Sequence, residues 1–591
     1  MSSAGVVPSS VASDAFVPRF ASQADVDEFV QVLEQFEKNE LSPDAWRKFR
    51  LVRGLYGQRQ EGVQMLRIKI PLGHLVASQA RVVADIAEAH AHGRAHLTTR
   101  QNFQFHFIQL AEVASIMTTL VDAGITTREA CGNSVRTVTG CDLAGVAKSA
   151  VFDTRAHGEA ITRFFLRHPK AAGLPRKFKI AVSCCPHDCA QAAIHDVGLV
   201  AKIVDGQRGF RVLVGGGLST SPEAAAVLYE FLPEHAILEL CEAVLMVFDA
   251  RGNRENKHRA RLKYVLRAVG LDELRRLVDV EREKIRERGD APVVLSATPL
   301  PSPPKREAPS PSLPPEPGYL TWLSSNVIEQ SQEGYASVVI RLPLGDVTSE
   351  QLRVVADAAE RFGDGTIWTS SQQNLLLRFV PRGETRAVHA FLRERGLARD
   401  GANSIVDITS CPGADSCNLA VTTSRGLGAA LGAALENALA QGGAQAEAVK
   451  LASDASIKIS GCPHSCGRHH IADLGFHGAA RKIGGRTMPM YQLHVGGGVD
   501  EQGARFGSQP VKIPAKRAPQ AVLALIEFFA AQRTGGESFG SFLRRISVNE
   551  LKAAIARFTD IDPSVAVDDE YADYGAQSGF VVETKSGECA A

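Results

Sequence analysis

Two stretches of the chain carry apolar residues at helical spacing, RVVADIAEAHAHG (81–93) and EQLRVVADAAERFG (350–363). Each stretch ends in glycine, as helices often do, and each predicts an amphipathic helix. Two short apolar runs bounded by turn residues, FKIAVS (178–183) and YQLHV (491–495), predict buried strands. We therefore expect the chain to combine helices with sheets.

The same motifs occur twice, in the same order, at an offset of about 270 residues. LTTRQNFQFHF (97–107) corresponds to TSSQQNLLLRF (369–379), and CPHDC (185–189) corresponds to CPHSC (462–466). Three further pairs are LRIKIPLGH and VIRLPLGD, TVTGC and DITSC, and RVLVGGGL and YQLHVGGGV. The pattern predicts an internal duplication whose period is far too long for a solenoid. Two unrelated α/β domains with similar turns are the alternative.

Proline marks the boundary between the two repeats. Residues 292–317 hold ten of the 28 prolines. Proline cannot donate a ladder hydrogen bond and stiffens the chain, so this stretch predicts a linker, with an ordered surface loop as the alternative. A chain of 591 residues is also too long for one hydrophobic core, which agrees with several domains.

Composition and charge argue against several classes of protein. With 45% hydrophobic and 22% charged residues the chain is globular, and its net charge of +1 argues against general nucleic-acid binding. The chain has no apolar run of about 18 residues, and its first residues lack the basic and apolar regions of a signal peptide. We therefore expect a cytoplasmic protein.

Eleven cysteines in such a chain indicate metal ligands, catalytic groups or buried thiols rather than disulfides. In the second half, Cys411 and Cys417 form a C-x5-C motif, and Cys462 and Cys466 form a C-x3-C motif. Structural zinc sites favour shorter spacings in neighbouring knuckles. Four thiolates suit the soft iron of a [4Fe–4S] cluster. Cys589 has no role that the sequence defines.

This cysteine spacing, together with LTTRQNFQFH (97–106) and LPRKFK (174–179), resembles the sulfite and nitrite reductases that couple a [4Fe–4S] cluster to sirohaem. The resemblance implies an α+β fold duplicated about a pseudo-two-fold axis, in which two ferredoxin-like half-domains accompany two α/β domains for sirohaem and the cluster. It implies a six-electron reductase. The four second-half cysteines would hold the cluster, and Cys466 would bridge it to the sirohaem iron.

On this resemblance, which runs from about residue 45 to 550, the chain divides into seven parts. They are an N-terminal extension (1–44), a first ferredoxin-like half-domain (45–128), a first sirohaem and anion-binding domain (129–290), the linker (291–318), a second ferredoxin-like half-domain (319–400), a domain for the cluster and sirohaem (401–550) and a C-terminal tail (551–591).

The resemblance also assigns roles to individual residues, because sirohaem is rimmed with carboxylates and the substrates are anions. Anion binding and catalysis are assigned to Arg67, Arg136, Lys177 and Lys179. Cofactor contacts are assigned to Arg100, Gln104, His106, Arg176, Arg254, Lys257, Arg261 and Cys466. A solvated basic helix face is the alternative for the segment 251–264, and an ordinary partly buried histidine is the alternative for His106.

The two repeats differ in their cations and in their cysteines. The cations Arg67, Arg100, Arg136, Lys177 and Lys179 fall opposite Val339, Gln372, Val406, Asp454 and Ser456. Conversely, Cys417 falls opposite Ala147, so the first repeat matches only three of the four cysteines, at Cys141, Cys185 and Cys189. These complementary losses predict one active site, with cations from the first half and cluster ligands from the second. A second, labile cluster on the three first-half cysteines is the alternative.

The segment LPRKFK bears on the substrate. Sulfite-reducing relatives commonly have both lysines, Lys177 and Lys179, whereas plant-type ferredoxin-nitrite reductases tend to have asparagine at the second. Sulfite also carries more negative charge than nitrite, so we expect sulfite. Nitrite is the alternative, since GNSVRTVTG (132–140) resembles the nitrite type about as well. His464 departs from the asparagine that relatives usually have in this turn.

No flavin- or nicotinamide-binding segment is evident, so the electrons are expected from another protein. Ferredoxin is the simplest donor, and a separate flavoprotein subunit is the alternative; neither nucleic acid nor a membrane is expected as a partner. A competing hypothesis of another class is a non-catalytic iron–sulfur or zinc protein whose basic residues bind an acidic partner. It predicts no sirohaem.

Overall fold

The computed structural model describes residues 17–289, 316, 318–576, 579–585 and 588. Apart from Glu316, the proline-rich stretch and Cys589 lie outside these residues. In the described part of the chain, no helix has the length and apolar character needed to cross a membrane.

The first half contains both helices and strands. Its helices are α1 (Gln23–Glu37), α2 (Pro43–Val52), α3 (Ala77–His90), α4 (Val113–Asp122), α5 (Arg155–Phe165), α6 (Ile237–Arg251), α7 (Leu262–Val269) and α8 (Leu271–Glu287). Its strands are β1 (Leu55–Gly57), β2 (Val63–Arg67), β3 (His74–Val76), β4 (Arg94–Leu97), β5 (Phe103–Gln109), β6 (Thr139–Gly140), β7 (Ile180–Ser183), β8 (Val197–Val204), β9 (Gln207–Val214) and β10 (Ala226–Pro233).

The second half repeats much of this order. Its helices are α9 (Tyr319–Asn326), α10 (Ser349–Phe362), α11 (Thr385–Arg393), α12 (Ser424–Gln441), α13 (Gly443–Leu451), α14 (Ala518–Gln532), α15 (Phe539–Arg545) and α16 (Val548–Thr559). Its strands are β11 (Val327–Glu329), β12 (Tyr335–Ile340), β13 (Asp346–Thr348), β14 (Thr366–Thr369), β15 (Leu375–Pro381), β16 (Thr409–Ser410), β17 (Ile457–Ser460), β18 (Leu474–Ile483), β19 (Arg486–Val495), β20 (Gly498–Asp500), β21 (Gly503–Arg505) and β22 (Lys512–Pro514).

The elements predicted from apolar spacing are present. The two amphipathic helices are α3 and α10, and the two apolar runs fall in β7 and at the end of β19. α3 begins four residues before the predicted start, because Ala77, Gln79 and Ala80 are also buried on its inner face. It ends at His90, three residues before the glycine that suggested its end.

Two five-stranded sheets are each completed by a strand from the other half. Their strand orders are β1-β2-β5-β4-β13 and β11-β12-β15-β14-β3. β13 of the second half pairs antiparallel with β4 of the first, and β3 of the first half pairs antiparallel with β14 of the second. The two repeats therefore exchange one strand reciprocally.

Helices α3 and α10, which correspond to each other in the two repeats, pack against each other. Arg81 of α3 forms an ion pair of 2.7 Å with Asp357 of α10, and Arg353 of α10 forms the equivalent 2.7 Å pair with Asp85 of α3. Exposed pairs of this kind each contribute little to stability. Beneath them, one apolar core contains buried residues from both repeats, and this shared core holds the halves together.

The remaining part of each repeat forms an α/β domain with its own apolar core. The sheet orders are β10-β9-β8-β7-β6 in the first and β16-β17-β18-β19-β22 in the second. In each sheet the first three strands in chain order run parallel. Parallel strands end at the same sheet edge, so the residues after β6 and β7, and after β16 and β17, are brought together.

A left-handed leucine connects each sheet of exchanged strands to its α/β domain. Leu72 has φ +57° and Leu344 has φ +58°, a conformation that non-glycine residues adopt at a cost. Leu72 fits so closely against α5 that a Cβ at Gly158 would lie 2.3 Å from it, and a Cβ at Gly428 of α12 would lie 2.5 Å from Leu344. Both contacts require glycine, and their repetition agrees with the duplication.

Candidate active site

A cavity of about 1060 Å³ lies between the two halves and is lined by residues of both. We call it the cation cavity, because among the described residues that line it seven are arginine or lysine and none is aspartate or glutamate. The seven are Arg67, Arg100, Arg136, Lys177, Lys179, Arg261 and Arg468. Cations that converge on one enclosed space make a site for anions.

All four residues predicted to bind the anion line the cation cavity. Arg67 is the last residue of β2, where it pairs with Gln104 of β5, which also lines the cavity. Arg136 lies in the loop before β6, and Lys177 and Lys179 lie in the loop before β7. Strand ends and the loops beside them thus place the four cations around one space.

Neutral acceptors hold the guanidinium of Arg136. Its Nε donates to the carbonyl oxygen of Gly132 at 2.9 Å, and a terminal nitrogen donates to the carbonyl oxygen of Ala130 at 3.1 Å. Its other terminal nitrogen lies 3.4 Å from the hydroxyl of Tyr56. These contacts fix the side chain but leave its positive charge uncancelled, which suits the binding of an anion.

Arg67 lies beside the same tyrosine. Its guanidinium carbon is 5.8 Å from the ring centroid of Tyr56, within the range of a cation–π interaction. One terminal nitrogen lies 3.3 Å from the sulfur of Cys131, a buried thiol. Arg67 and Arg136 therefore both lie beside Tyr56, which also lines the cavity.

Asp196 holds two of the residues that line the cavity, Arg261 and Lys179. This fully buried carboxylate accepts hydrogen bonds from Arg261 at 2.8 and 3.2 Å and from the backbone N–H of Lys179 at 2.9 Å. Burial, and next the charges of Arg100 and Arg261, lower the pKa of the Lys179 ammonium well below its ordinary value. Asp196 thus positions the backbone of Lys179, while the cations around its side chain make that ammonium a stronger acid.

His195 defines how Arg100 is held. The Nδ1 of His195 lies 2.7 Å from the carbonyl oxygen of Gln191, which can only accept, so Nδ1 carries the proton. The unprotonated Nε2 then accepts from Arg100 at 2.7 Å. Burial, followed by the charges of Arg100 and Arg468, lowers the pKa of His195 well below its usual value, which agrees with a neutral ring.

Arg468 belongs to the site although the sequence analysis did not single it out. It lies on the cavity wall, fully enclosed, and donates to the side-chain oxygen of Gln191 and to the carbonyl oxygen of Thr99. Its position two residues after Cys466 was a usable signal, since a basic side chain there follows directly from the cysteine turn.

The four second-half cysteines line a second cavity of about 810 Å³, here called the cysteine cavity. Cys411 directly follows β16, and Cys462 follows β17 by two residues, so the parallel pairing of these strands brings them together. Cys411 and Cys466 line both cavities, and Cys466 is the exposed member of the set. The cysteine cavity therefore meets the cation cavity at the residue predicted to bridge the two cofactors.

The donor sets fit the two predicted groups. Among the described residues, no three of the four second-half sulfurs form a group compact enough for a single ion, so the space between them suits a cluster of several irons. Burial, followed by the other three thiols, raises the pKa of Cys462, so its thiolate form needs the positive charge of bound iron. The cations of the adjoining cavity match a carboxylate-rimmed tetrapyrrole and a small anion.

Four residues predicted to contact the cofactor do not line the cation cavity. His106 of β5 lines the cysteine cavity, and burial lowers its pKa to about 3. Arg176 is buried close to His464, whose pKa is lowered to about 4 by burial and then by the charges of Lys177 and Arg176. The structure does not bring Arg254 and Lys257 to the lining of either cavity, and both side chains are exposed.

A group of histidines lies behind the Cys466 turn. His469 and His494 are fully buried, and His477 lies beside them with its Nδ1 2.7 Å from the Nε2 of His494. The nearest nitrogens of these three rings lie within 4.8 Å of one another. Burial, followed by the charges of His470 and His477, lowers the pKa of His494 to about 3, so its imidazole is neutral in the folded protein at neutral pH.

Sequence models of two families match this chain, and each matches it twice. The model described as "Nitrite and sulphite reductase 4Fe-4S domain" matches residues 131–286 and 401–560. The model described as "Nitrite/Sulfite reductase ferredoxin-like half domain" matches residues 56–123 and 328–395. The chain belongs to the nitrite and sulfite reductase family. These matches confirm the predicted family, the duplicated α+β fold and the assignment as an oxidoreductase.

Some relatives of the reductase are named sulfite reductases and others nitrite reductases. A protein of Mycolicibacterium paratuberculosis called "Sulfite reductase [ferredoxin] 1" is 29% identical over 84% of this chain and 88% of its own length. An "Assimilatory ferredoxin-dependent nitrite reductase" of Haloferax mediterranei is 28% identical over 82% of this chain and 83% of its own. The solved structure of the Mycobacterium tuberculosis NirA protein covers 89% of this chain and 95% of its own at 27% identity and TM-score 0.75.

The family assignment confirms the two predicted cofactors of the reductase, sirohaem and a [4Fe–4S] cluster. Cys411, Cys417, Cys462 and Cys466 would hold the cluster, and the residues of the cation cavity would hold sirohaem and the anion beside it. The competing hypothesis of a non-catalytic protein is excluded. The names of the relatives leave sulfite and nitrite undecided.

Proposed function

We propose that this reductase converts sulfite to sulfide with electrons from ferredoxin. The observation that carries the choice of sulfite is that Lys177 and Lys179 both line the cation cavity, together with Arg67 and Arg136. Sulfite carries more negative charge than nitrite, so each additional cation at short range contributes more to its binding. A site with seven lining cations is better matched to the more highly charged anion.

The reaction also requires protons. Conversion of sulfite to hydrosulfide takes up six electrons and seven protons and releases three waters. Sirohaem, when bound, supplies the iron at which the anion is held, and the cluster supplies electrons singly. Lys179 suits proton delivery, because burial and the charges of Arg100 and Arg261 lower its pKa and so favour release of a proton from Nζ toward an anion oxygen.

The remaining cations of the cavity bind and orient. Arg136, held by neutral partners, and Arg67 beside Tyr56 would receive the oxygens of the anion and stabilise negative charge as it shifts onto them. Arg100 is fixed by His195, and Arg261 by Asp196, so neither guanidinium can turn freely. These two are better placed to hold the carboxylates of the cofactor than to move with the substrate.

Ferredoxin is proposed as the electron donor on two grounds. Both relatives compared above carry ferredoxin in their names, and this sequence contains no evident flavin- or nicotinamide-binding segment. A separate flavoprotein subunit remains the alternative donor. Reduced ferredoxin and a flavoprotein reductase with its nicotinamide, supplied separately to the same enzyme, distinguish the two.

Nitrite reduction is the second candidate function. The Haloferax relative is named a nitrite reductase and is 28% identical, nearly as similar as the sulfite reductase from Mycolicibacterium at 29%. The segment 132–140 around Arg136 also resembles the nitrite type. A site that holds one small oxyanion at iron can hold the other, so the question is one of relative efficiency.

The deciding experiment compares the two anions on the enzyme loaded with both cofactors. Steady-state rates are measured anaerobically with reduced methyl viologen as the donor, so that partner recognition does not enter the comparison. We expect a higher kcat/KM with sulfite than with nitrite. A higher value with nitrite would overturn the proposed substrate and leave the family assignment intact.

A further inference from the structure

Four thiols of the first half converge outside the two cavities described above. The sulfurs of Cys141, Cys184 and Cys189 lie within 4.8 Å of one another, and the sulfur of Cys185 lies 3.0 Å from that of Cys189. Cys141, Cys184 and Cys185 are buried, and Cys189 is partly exposed. Four soft donors, three of them buried, have the composition of a structural metal site.

The fold explains why these cysteines meet. Cys141 directly follows β6, and Cys184 and Cys185 directly follow β7, which pairs in parallel with β6. The carboxyl ends of both strands therefore deliver cysteines to one sheet edge, and the turn after β7 returns Cys189 to the same place. The second half uses the same strand pair to position Cys411 and its partners.

The first-half set contains a ligand that comparison of the repeats did not reveal. Ala147 stands opposite Cys417, so position-by-position matching finds only three equivalent cysteines. Cys184 supplies a fourth thiol and stands opposite Gly461. A Cβ at Gly461 would lie 2.7 Å from the carbonyl oxygen of Thr422, so the second half has no room for a side chain there. One ligand has been lost and another gained, which is not the pattern of a decaying remnant.

The spacing of the sulfurs indicates the size of the group they hold. A tetrahedral zinc ion with Zn–S bonds of about 2.3 Å places its sulfurs about 3.8 Å apart. The compact group of Cys141, Cys184 and Cys189 suits that dimension. A cubane, with one thiolate on each of four irons, needs more widely spaced sulfurs, as in the cysteine cavity. The same duplicated motif therefore fits a cluster in one half and a single ion in the other.

A buried cation supports a negatively charged site at this place. Arg378 of β15 is fully buried, stacks 3.4 Å from the ring centroid of Trp368, and donates to the carbonyl oxygens of Asp142 and Ala144 just after Cys141. Within the described residues, no carboxylate lies close enough to Arg378 to form an ion pair. A zinc ion with four thiolates carries two net negative charges, and this guanidinium would offset part of them.

We propose that Cys141, Cys184, Cys185 and Cys189 bind one zinc ion as a tetrathiolate structural site. With four thiolates the ion has no open position for a substrate, so its role is to fix the loop after β6 against β7. That loop contacts the second half, where the backbone N–H of Ser331 donates to the carbonyl oxygen of Val146 at 2.8 Å. The zinc site thus stabilises the contact between the repeats, whichever anion the reductase prefers.

The test begins with the full-length holoenzyme, purified anaerobically and freed of loosely bound metal. We expect one zinc per chain by mass spectrometry of metals, in addition to the iron of the two cofactors. Zinc-edge X-ray absorption should show a shell of sulfur at about 2.3 Å and no nitrogen. This spectrum is specific for zinc, so the iron cofactors do not obscure it, and it needs no variant that must fold.

Variants then locate the ion. C184S and C189S should lose the zinc and unfold at a lower temperature while keeping their iron content. The matched control is C241S, a lone buried thiol in α6, which should retain zinc. C411S should show the reverse pattern from C184S, with loss of cluster iron and retention of zinc.

Four results would overturn the proposal. The first is wild-type enzyme without zinc, and the second is a zinc shell that contains nitrogen, which binding by His469, His477 and His494 would give. The third is a disulfide between Cys185 and Cys189 in the anaerobic enzyme. The fourth is additional iron and sulfide in the amounts of a second cluster.

Discussion

The hydroxyl of Thr99 donates a hydrogen bond of 3.0 Å to the carbonyl oxygen of Cys466, 367 residues away in the chain. Thr99 belongs to the turn that also carries Arg100, and Cys466 is the cysteine at the junction of the two cavities. This hydrogen bond and the one from Arg468 to the carbonyl oxygen of Thr99 therefore tie the cations of the first half to the cysteine turn of the second. The relative position of anion site and cluster depends on contacts of this kind between the repeats.

Lys179→Asn tests the proposed anion preference. The substitution removes one cation of the cavity and should lower kcat/KM for sulfite about 10²-fold, a loss typical of one group that stabilises an oxyanion. The loss with nitrite should be smaller, because nitrite carries less charge. Steady-state rates with reduced methyl viologen measure both values. Lys482→Asn, at an exposed lysine of the second half, is the matched control and should change neither. An unchanged ratio of the two values in Lys179→Asn would remove Lys179 as a determinant.

Cys417→Ser tests the cluster ligand that has no counterpart in the first half. Serine oxygen is a harder and poorer ligand for iron than thiolate, so the variant should lose cluster iron and its visible absorption. Iron and sulfide assays on anaerobically purified protein measure the loss. The Cys241→Ser variant should keep the full iron content. If Cys417→Ser also keeps it, a different residue is the fourth ligand.

Asp196→Asn tests the buried ion pair behind Lys179. Arg261 and Asp196 are both buried, so removal of the carboxylate leaves a guanidinium without its counter-charge and should cost about 3 kcal/mol of unfolding free energy. The equivalent change at the more exposed Arg505–Asp500 pair should cost less than about 1 kcal/mol. Urea unfolding of Asp196→Asn and Asp500→Asn gives both values. Equal losses in the two variants would contradict the structural role given to Asp196.

His494→Gln tests the buried histidine group by its pH dependence. The pKa of His494 is about 3 in the folded protein, against about 6.5 for an unfolded histidine. Below pH 6.5 the unfolded chain therefore binds a proton that the folded chain does not, and stability falls as the pH falls toward 3. The wild type should lose up to about 1.4 kcal/mol more than His494→Gln for each pH unit below 6.5.

Urea unfolding at pH 7.5 and pH 5.5 measures that difference. His187→Gln removes an exposed histidine and serves as the matched control. A His494→Gln protein that loses as much stability on acidification as the wild type would show that His494 is protonated in the folded state.

The sequence predicts most of the chemical groups of the site, because these groups belong to residues of particular types at fixed spacing. Four cysteines in two motifs predicted the cluster, and LPRKFK placed Lys177 and Lys179. The structure brings these groups to two adjoining cavities. The sequence analysis did not predict Arg468, because the predicted cations all come from the first repeat. Arg468 lies in the second repeat, two residues after Cys466.

The rest could not be predicted because it depends on contacts that sequence spacing does not encode. The strand exchange pairs β13 with β4 and β3 with β14, which lie far apart in the sequence, and no local feature of these strands predicts their partners. The basic segment 251–264 divides in the structure, since Arg261 lines the cation cavity whereas Arg254 and Lys257 do not. Arg254 and Lys257 are exposed, and their cofactor contacts stay a prediction, because charge alone does not distinguish a binding loop from a solvated surface.

The exchanged strands also bear on how such a chain arose and how it must assemble. Neither repeat can complete its own five-stranded sheet, so the unit that folds is the pair. An isologous dimer of one short chain, with each copy lending a strand to the other, has this same arrangement. Fusion of two such copies would keep the dimer's geometry while freeing each to change separately. One half can then supply most of the cations and the other the cysteines for iron, while the fold of both halves stays the same.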